Sequence, residues 1–403
     1  MQKRCKLLDD MAEAIMQALP HFCNLTSLIC KQLDLTPERM SMFQQLPLKS
    51  VLLESCTSSN DDISQLSLHP MCIEKVTFTS PSSSTEESMK ETASNSSNLR
   101  SLFLHPEHLR SLHTSFTQDI LSTLAGAAAP FYKLRDLELP ALSTSSAQFP
   151  KALSHCPKLR RLSFLADTEI GIPPLSSSSS LLPAESLPLL SHYRGPRLYI
   201  LKIAAPRPVR HLDIYPACKP ERLIRTLGEL DGMQITRTLE TLTVRYSQPP
   251  PAVLLLQIHQ TFPYLRNLTL KGVYLDMTQW VDMLKTATPH HYVRHLRMCV
   301  CLGEDEYGGG GGGGGGFWRV PEHENKRIVQ FFNHVHPLLL QAYPRLKKVQ
   351  AVSASTGALA IWRRVSSSSN NNKETSSNHS AMLEIGDSMV EIGLPGLRKA
   401  RSF

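Results

Sequence analysis

Histidine and cysteine residues cluster in one part of the sequence, where their side chains could hold a metal ion. The cluster comprises His290, His291, His295, Cys299 and Cys301. Paired zinc ligands are usually separated by roughly two to four residues, whereas one residue separates these cysteines, and the histidines flank a predicted strand. The pattern does not favour a metal centre, and we expect no bound metal.

The other sequence motifs that could indicate a catalytic or ligand-binding site are also weak evidence for one. The glycine run Gly308–Gly316 satisfies the spacing of a phosphate-binding loop, but no strand and helix frame it and no Gly-Lys-Ser/Thr follows, so we interpret it as a flexible tether. His334 and His336 lie in a predicted helix over residues 325–340, where side chains two positions apart point to different sides. No hydrolase, zinc-protease or kinase motif is present. We predict no catalytic residue, no cofactor and no enzymatic activity.

Charge and hydropathy exclude further classes of protein. The 43 Lys and Arg outnumber the 35 Asp and Glu, for a net charge of +8, but the basic residues are dispersed rather than grouped in runs. Dispersed charge does not favour nucleic-acid binding. The aliphatic run near residues 252–256 is far shorter than a membrane span, and the nine cysteines form no C-x-x-C pair. We expect a cytoplasmic and/or nuclear protein without membrane contact.

One short phrase, apolar-x-x-apolar-x-apolar, recurs along the chain and predicts the elements that would position binding residues. Six clear copies have Arg in second place and begin at Leu99, Leu134, Leu159, Val209, Leu265 and Val293. Weaker copies begin at Leu25, Leu48, Ile73, Leu187, Leu239 and Leu346. Alternation of this kind is typical of a short strand whose apolar side chains share one face.

The spacing between copies predicts the architecture. Most first residues lie 22 to 30 positions apart, and only two longer intervals, of 35 and 53 residues, require inserted material. Helical spacing appears between copies: Thr36 can cap a helix that has Pro37 at its first position. Strands and helices that alternate in this way predict an α/β solenoid with an inner parallel sheet and outer helices. An ordinary doubly wound α/β domain is the alternative, although its strands would be continuous apolar runs.

The predicted organisation has three parts. Residues 1–24 form a helical cap or partial repeat, residues 25–357 form the solenoid, and residues 366–403 form a mostly disordered tail. Low-complexity insertions near residues 80–98, 176–180 and 303–320 interrupt the solenoid, because serine-rich and glycine-rich segments cannot build a core. The register between residues 187 and 203 stays open, since a phrase beginning at Leu198 matches as well as the one at Leu187.

These phrases resemble the leucine-rich-repeat region of fungal F-box-type proteins. The resemblance covers roughly residues 10–355 and rests on the Leu-Arg-x-Leu-x-Leu copies, on Cys156-Pro157-Lys158-Leu159 and Phe262-Pro263-Tyr264-Leu265, and on Tyr193-Arg194-Gly195-Pro196 followed by Arg207-Pro208-Val209-Arg210. It implies a ribonuclease-inhibitor-like horseshoe of about 12 repeats. The repeats are degenerate, because the usual Asn or Cys after the strand is matched only by Cys56 and Cys301.

The resemblance also implies a role in bringing substrates to a ubiquitin ligase. A Skp-type adaptor and a cullin would be the partners if an F-box lies upstream, but the 24 residues before Leu25 are fewer than an F-box needs, and the F-box itself is not evident. Stand-alone binding without ligase coupling is therefore an alternative. A nucleic-acid-binding repeat protein and a hidden enzyme are less favoured.

The phrase pattern identifies a set of candidate binding residues. Positions three, five and seven of each phrase would face the concave side of the sheet, away from the core. The predicted protein-binding residues are Arg161, His211, Asp213, Tyr215, Arg245, Asn267, Lys271, His295 and Arg297. Such a polar surface, with Arg and Tyr as anchors, suits a charged or hydrogen-bonding protein. We therefore predict a non-catalytic scaffold that binds a client protein of unknown identity.

Overall fold

The computed structural model shows an α/β fold whose parallel strands follow one another in chain order. It describes residues 14–57, 71–79, 102–115, 118–141, 146–165, 182–183, 185–272, 277–300, 322–353, 359–364, 381–385 and 388–392. The chain divides into two compact units, Met1–Arg207 and Pro208–Phe403, called unit 1 and unit 2 below. None of the described helices combines the length and the apolar character that a membrane crossing requires.

The described part of unit 1 has seven parallel strands. They are β1 (Ser27–Lys31), β2 (Ser50–Glu54), β3 (Lys75–Thr79), β4 (Ser111–Thr114), β5 (Asp136–Pro140), β6 (Arg161–Leu165) and β7 (His192–Gly195), and each pairs with the next. The helices are α1 (Pro37–Gln44), α2 (Gln118–Gly126) and α3 (Phe149–Ser154). Residues 14–18 are also helical and lead into a 3-10 turn, Leu19–His21.

Unit 2 begins with parallel strands and ends with antiparallel ones. The parallel strands are β8 (His211–Ile214), β9 (Thr241–Tyr246), β10 (Asn267–Gly272), β11 (His295–Val300) and β12 (Lys348–Ser353). The antiparallel strands are β13 (Leu359–Arg364), β14 (Ala381–Ile385) and β15 (Ser388–Ile392). The helices are α4 (Pro220–Glu229), α5 (Gln234–Thr238), α6 (Val253–Thr261), α7 (Met277–Thr286) and α8 (Glu322–Ala342).

The predicted phrases coincide with these strands in ten of twelve cases. Each of these strands starts two residues after the first residue of its phrase, as Asn267 follows Leu265. In β10 the side chains of Leu268 and Leu270 are buried, whereas those of Asn267 and Thr269 are partly exposed. The predicted alternation of apolar core side and polar outer side is confirmed in this strand.

The phrase predicted to begin at Leu99 is wrong, because its described residues form no strand. Leu102 and Phe103 are helical, and β4 belongs instead to a phrase that begins at Leu109. Its last core position is occupied by Thr114, which is almost fully buried although it is not apolar. This copy does not match the sequence pattern, because a hydroxyl-bearing residue stands where the pattern requires the third apolar residue.

The uncertain register before residue 203 is also settled. β7 follows Leu190, while Leu187 has a φ of 61° and lies outside the strand. Gly195 occupies the last core position of this phrase. A Cβ at Gly195 would stand 2.8 Å from the ring of Phe164. The Phe164 ring therefore fills the space that an apolar side chain at this position would otherwise occupy. The competing phrase at Leu198 forms a 3-10 turn and a π-helix, Arg197–Tyr199 and Ile200–Ala204.

The tail contains regular structure that the sequence analysis does not predict. β14 and β15 both lie in the segment 366–403, which is expected to be mostly disordered, and they pair antiparallel with each other. Their sequences flank Gly386-Asp387, a residue pair typical of a hairpin turn. The insertions near residues 80–98, 176–180 and 303–320 lie outside the described residues.

The helices begin where local sequence favours them. Thr36 precedes α1, and its hydroxyl oxygen accepts a hydrogen bond from the Arg39 amide at 3.5 Å, so the predicted cap is confirmed. Met40 and Phe43 then lie on the buried side of this helix. A cap of this kind satisfies an amide that the first helical turn would otherwise leave without a partner.

Gly272, the last residue of β10, cannot carry a side chain without a rearrangement. Its φ is +128°, and a Cβ there would overlap the carbonyl oxygen of Tyr246 in β9 and lie 2.9 Å from the Tyr246 nitrogen. We expect Gly272→Ala to lower the free energy of unfolding by about 2 kcal/mol. Gly228→Ala in α4 is the control, since no atom lies within 4 Å of its added Cβ and alanine favours a helix. Equal urea midpoints for the two variants would contradict this prediction.

Candidate functional site

In unit 2, the partly exposed side chains of β8 to β12 form successive polar rows on the outer face of the sheet, the face that points away from the core. The register places Thr241 between His211 and Asn267, and Asn267 next to His295. We call this surface the unit 2 strip; it comprises His211, Asp213, Tyr215, Thr241, Thr243, Arg245, Asn267, Thr269, Lys271, His295, Arg297, Lys348 and Gln350. Eight of the nine predicted site residues belong to it.

Arg245 is held in place by two neighbours, Asp213 on β8 and Tyr215 just after the end of β8. Its Nη2 atom donates to the Asp213 carboxylate, at 3.0 Å from Oδ2 and 3.3 Å from Oδ1. Its guanidinium carbon also lies 5.0 Å from the centroid of the Tyr215 ring, a cation–π distance. The Arg245 and Asp213 side chains are only 23% and 27% exposed, so this ion pair is less screened by solvent than a surface pair.

Positive charge is concentrated around Lys271. Lys271 pairs with Arg245 in the sheet register, and Arg297 lies on the neighbouring strand. The pKa of Lys271 is lowered by partial burial and then by the charges of Arg245 and Arg297, while Asp213 acts in the opposite direction. Three cations therefore share this part of the strip with one carboxylate, Asp213. A negatively charged group at this point would relieve the repulsion between the cations.

A chain of hydrogen bonds orders the opposite side of the strip. The Asn267 Nδ2 atom donates to Thr241 Oγ1 at 3.0 Å, and its Oδ1 accepts from the His295 Nδ1 atom at 2.7 Å. The proton on His295 is therefore on Nδ1. Burial lowers the pKa of His295, and the charges of Lys348, Lys347 and Arg294 lower it further. Both effects disfavour the protonated, charged form of His295.

The remaining predicted residue, Arg161, belongs to unit 1. It lies on β6 with its Nη1 atom 3.6 Å from Asp136 Oδ1, and its side chain is 55% exposed. Other outer-face pairs in unit 1 also join opposite charges across strands, such as Lys31 with Glu54 at 2.7 Å. Glu138 likewise faces His113, and this hydrogen bond is the main reason why the pKa of Glu138 is lowered. The described outer face of unit 1 is therefore mixed in charge.

Besides the predicted residues and the three threonines of the strip, three further residues extend the surface towards β12 and β13. Lys348 and Gln350 on β12 pair with His295 and Arg297, and they occupy the same phrase positions in the copy that begins at Leu346. The phrase pattern was sufficient to find both of them. Arg363 pairs with Lys348 from the antiparallel strand β13. No phrase precedes Arg363, so nothing in the repeat pattern signals it.

The histidines first considered as metal ligands have separate structural environments. The buried His290 ring donates from Nε2 to the Phe262 carbonyl oxygen at 2.9 Å, and its Nδ1 accepts from the amides of Tyr292 and Val293. His334 is exposed, whereas His336 is buried with its ring 5.1 Å from that of Trp362. The prediction that this pair points to different sides is confirmed. Cys301 lies outside the described residues.

Comparisons with known proteins do not assign the chain to a family. No family model matches this sequence, and no curated protein matches it.

Proposed function

We propose that the protein is a non-catalytic, protein-binding scaffold of the leucine-rich-repeat type that holds an acidic segment of a client protein on the unit 2 strip. The observation that carries this proposal is the grouping of Arg245, Lys271 and Arg297, which Asp213 only partly compensates. The recurring phrases and the parallel strands in chain order support a horseshoe of about 12 degenerate repeats. Such folds bury each repeat against its neighbours and leave the sheet available for a partner.

The chemistry of the strip favours a protein client over a nucleic acid. Threonine and asparagine side chains stand between the cations and can hydrogen-bond to a peptide, and Arg245 stacks on Tyr215. Arginine and tyrosine are the residue types that most often dominate protein interfaces. A nucleic-acid surface would instead align its cations along successive phosphates, whereas the Asp213 carboxylate interrupts the row of cations here.

The resemblance of the repeats to those of F-box-type proteins extends the proposal to ubiquitin ligases. A substrate-recognition relative of F-box adaptors would work in the cytoplasm and/or nucleus and associate with a Skp-type adaptor and a cullin.

The test of ligase coupling is mass spectrometry of the protein purified through a C-terminal tag from its own cells, with intact mass and bound partners recorded together. An adaptor and a cullin in the preparation would support ligase coupling. Other partners alone would leave a stand-alone scaffold and remove the ligase role.

Charge reversal on the strip is the direct test of client binding. We expect Arg245→Glu with Arg297→Glu to weaken binding of each co-purified client at least tenfold, because a carboxylate then faces the acidic segment. Binding is measured by titration of the purified full chain with the purified client. The single variant Arg297→Glu keeps the Arg245–Asp213 ion pair and should show a smaller loss, so a folding defect can be distinguished.

The matched control changes net charge equally on another surface. Arg222→Glu with Arg225→Glu places the same two reversals at exposed positions of α4. We expect this control to bind the client as the wild type does. If the strip variant binds as the wild type does, the proposed site is wrong. If single-stranded RNA binds more tightly than the client, with an affinity that falls steeply with salt, a nucleic-acid function replaces the proposal.

A further inference from the structure

A tight turn before β4 brings two histidines and a glutamate together. The turn has the sequence His105-Pro106-Glu107-His108, and it is closed by hydrogen bonds from the His108 and Leu109 amides to the His105 carbonyl oxygen, at 3.2 and 3.1 Å. Pro106 restricts φ at the second position, which favours such a turn. The turn therefore fixes the backbone from which all three side chains extend.

The three side chains supply two imidazoles and one carboxylate, a donor set suited to a transition metal. One ligand atom from each of His105, Glu107 and His108 lies within 4.8 Å of the other two. The two imidazole rings have centroids 5.0 Å apart and an interplanar angle of 31°. Bonds of roughly 2.0 to 2.2 Å in a tetrahedral zinc site place ligands about 3.4 Å apart, so side-chain rotations that move atoms by about 1 Å would complete the site.

The surrounding structure supports the turn as a rigid frame. Phe103 and Leu109, on either side of it, are fully buried, and the Phe103 ring packs edge-on against Phe78 at 6.2 Å. The arginine that follows the turn, Arg110, is directed to Glu74, with its Nε atom 3.3 Å from the carboxylate. Among the described residues Glu107 has no ion-pair partner, so its carboxylate is not already neutralised there.

We propose that His105, Glu107 and His108 bind one zinc ion. Two imidazoles and one carboxylate are a common zinc donor set, and three protein ligands leave a fourth position for water or for a group of a bound partner. The Glu107 amide approaches His105 Nδ1 at 3.3 Å, a long contact that a metal ion can replace. This site is independent of the unit 2 strip, so its failure leaves the proposed function untouched.

The experiment uses untagged, metal-free full-length protein titrated with Co²⁺ as a spectroscopic probe and then with Zn²⁺. Exposed thiols also bind these ions, so the titrations are made in a Cys23→Ser, Cys72→Ser background, since both cysteines are exposed. We expect a visible d–d spectrum of one tetrahedral Co²⁺ ion, which one equivalent of Zn²⁺ displaces. His105→Ala with His108→Ala should weaken the affinity at least tenfold, and Glu107→Gln should weaken it by a smaller factor.

A control separates this site from general histidine binding. His291→Ala with His334→Ala removes two exposed histidines from other parts of the chain and is expected to bind Co²⁺ as the background protein does. The proposal is overturned if the two double variants bind equally well. It is also overturned if the bound Co²⁺ shows an intense thiolate band in the near ultraviolet, because cysteine would then be the ligand.

Discussion

Replacing Arg207 with methionine is expected to lower the free energy of unfolding by about 3–5 kcal/mol, the largest effect of any single substitution considered for this protein. Arg207 ends unit 1 and is completely buried. Its guanidinium donates hydrogen bonds to four backbone carbonyl oxygens. The acceptors are Ser186 at 2.7 Å, Pro183 at 3.0 Å, Lys202 at 3.5 Å and Ile203.

The size of this effect follows from the hydrogen bonds that methionine cannot make. It has nearly the length of arginine and fills much of the same space, but it donates no hydrogen bond. The carbonyl groups of Pro183, Ser186 and Ile203 would then lose this donor. The loss costs about 1–3 kcal/mol at the buried Ile203 and less at the partly buried Ser186 and the exposed Pro183. The segment before β7 would also lose its connection to the π-helix that precedes Arg207.

Two measurements test the role of Arg207. Urea unfolding gives the loss of stability, and hydrogen exchange should show faster exchange in the peptides that cover residues 185–207. Arg210→Met is the control, because that side chain is 64% exposed and its ion pair with Glu240 spans 3.8 Å. An exposed pair contributes at most about 1 kcal/mol. If both variants lower the urea midpoint equally, the buried guanidinium has no special structural role.

Arg207 also illustrates what the sequence could not reveal. The phrase pattern predicts most strands because each depends on apolar residues at fixed short spacing, and it places Asn267 and His295 side by side because neighbouring copies have the same register. Arg207 follows no such rule. The sequence analysis names it only as part of the segment Arg207-Pro208-Val209-Arg210 and predicts no burial for it, because that burial depends on carbonyl groups up to 24 positions away.

The missed strands have a related cause. β4 and β7 have Thr114 and Gly195 where the pattern requires an apolar side chain. Thr114 is buried despite its hydroxyl, and the ring of Phe164 lies next to Gly195. The charge of the unit 2 strip follows more directly from the sequence. The phrase positions already place Arg245, Lys271 and Arg297 on one face of the sheet, and the register adds that Lys271 pairs with Arg245 while Arg297 lies on the next strand.

A buried histidine in unit 2 connects residues that are distant in sequence and is expected to make the protein sensitive to acid. His259 in α6 donates from Nδ1 to the Thr288 carbonyl oxygen at 2.8 Å, and its Nε2 accepts from the Tyr343 hydroxyl, 84 positions away, at 3.1 Å. The His290 ring packs against it at 4.9 Å. Both nitrogen atoms of His259 are engaged in a way that suits the neutral ring.

Protonation of His259 is therefore unfavourable in the folded chain. Burial, followed by the charge of His290, lowers its pKa from 6.5 to about 4, although the bond to Thr288 opposes this shift. In the unfolded chain the same ring takes up a proton near pH 6.5. Between these values the unfolded state binds more protons, so stability falls as the pH is lowered from 6.5 to about 4. The shift corresponds to a loss of about 3 kcal/mol from this residue.

Urea midpoints measured between pH 8 and pH 4.5 test this coupling. We expect His259→Gln to be less stable than the wild type at pH 8, because glutamine cannot reproduce both hydrogen bonds, but to lose less stability on acidification. Some dependence should remain, since burial lowers the pKa of His290 in the same direction. His334→Gln, at an exposed position of α8, should keep the full wild-type dependence. If the urea midpoint of His259→Gln falls with pH as steeply as that of the wild type, the acid sensitivity comes from other residues. The contact between α6 and Tyr343 would then stabilise unit 2 by packing alone.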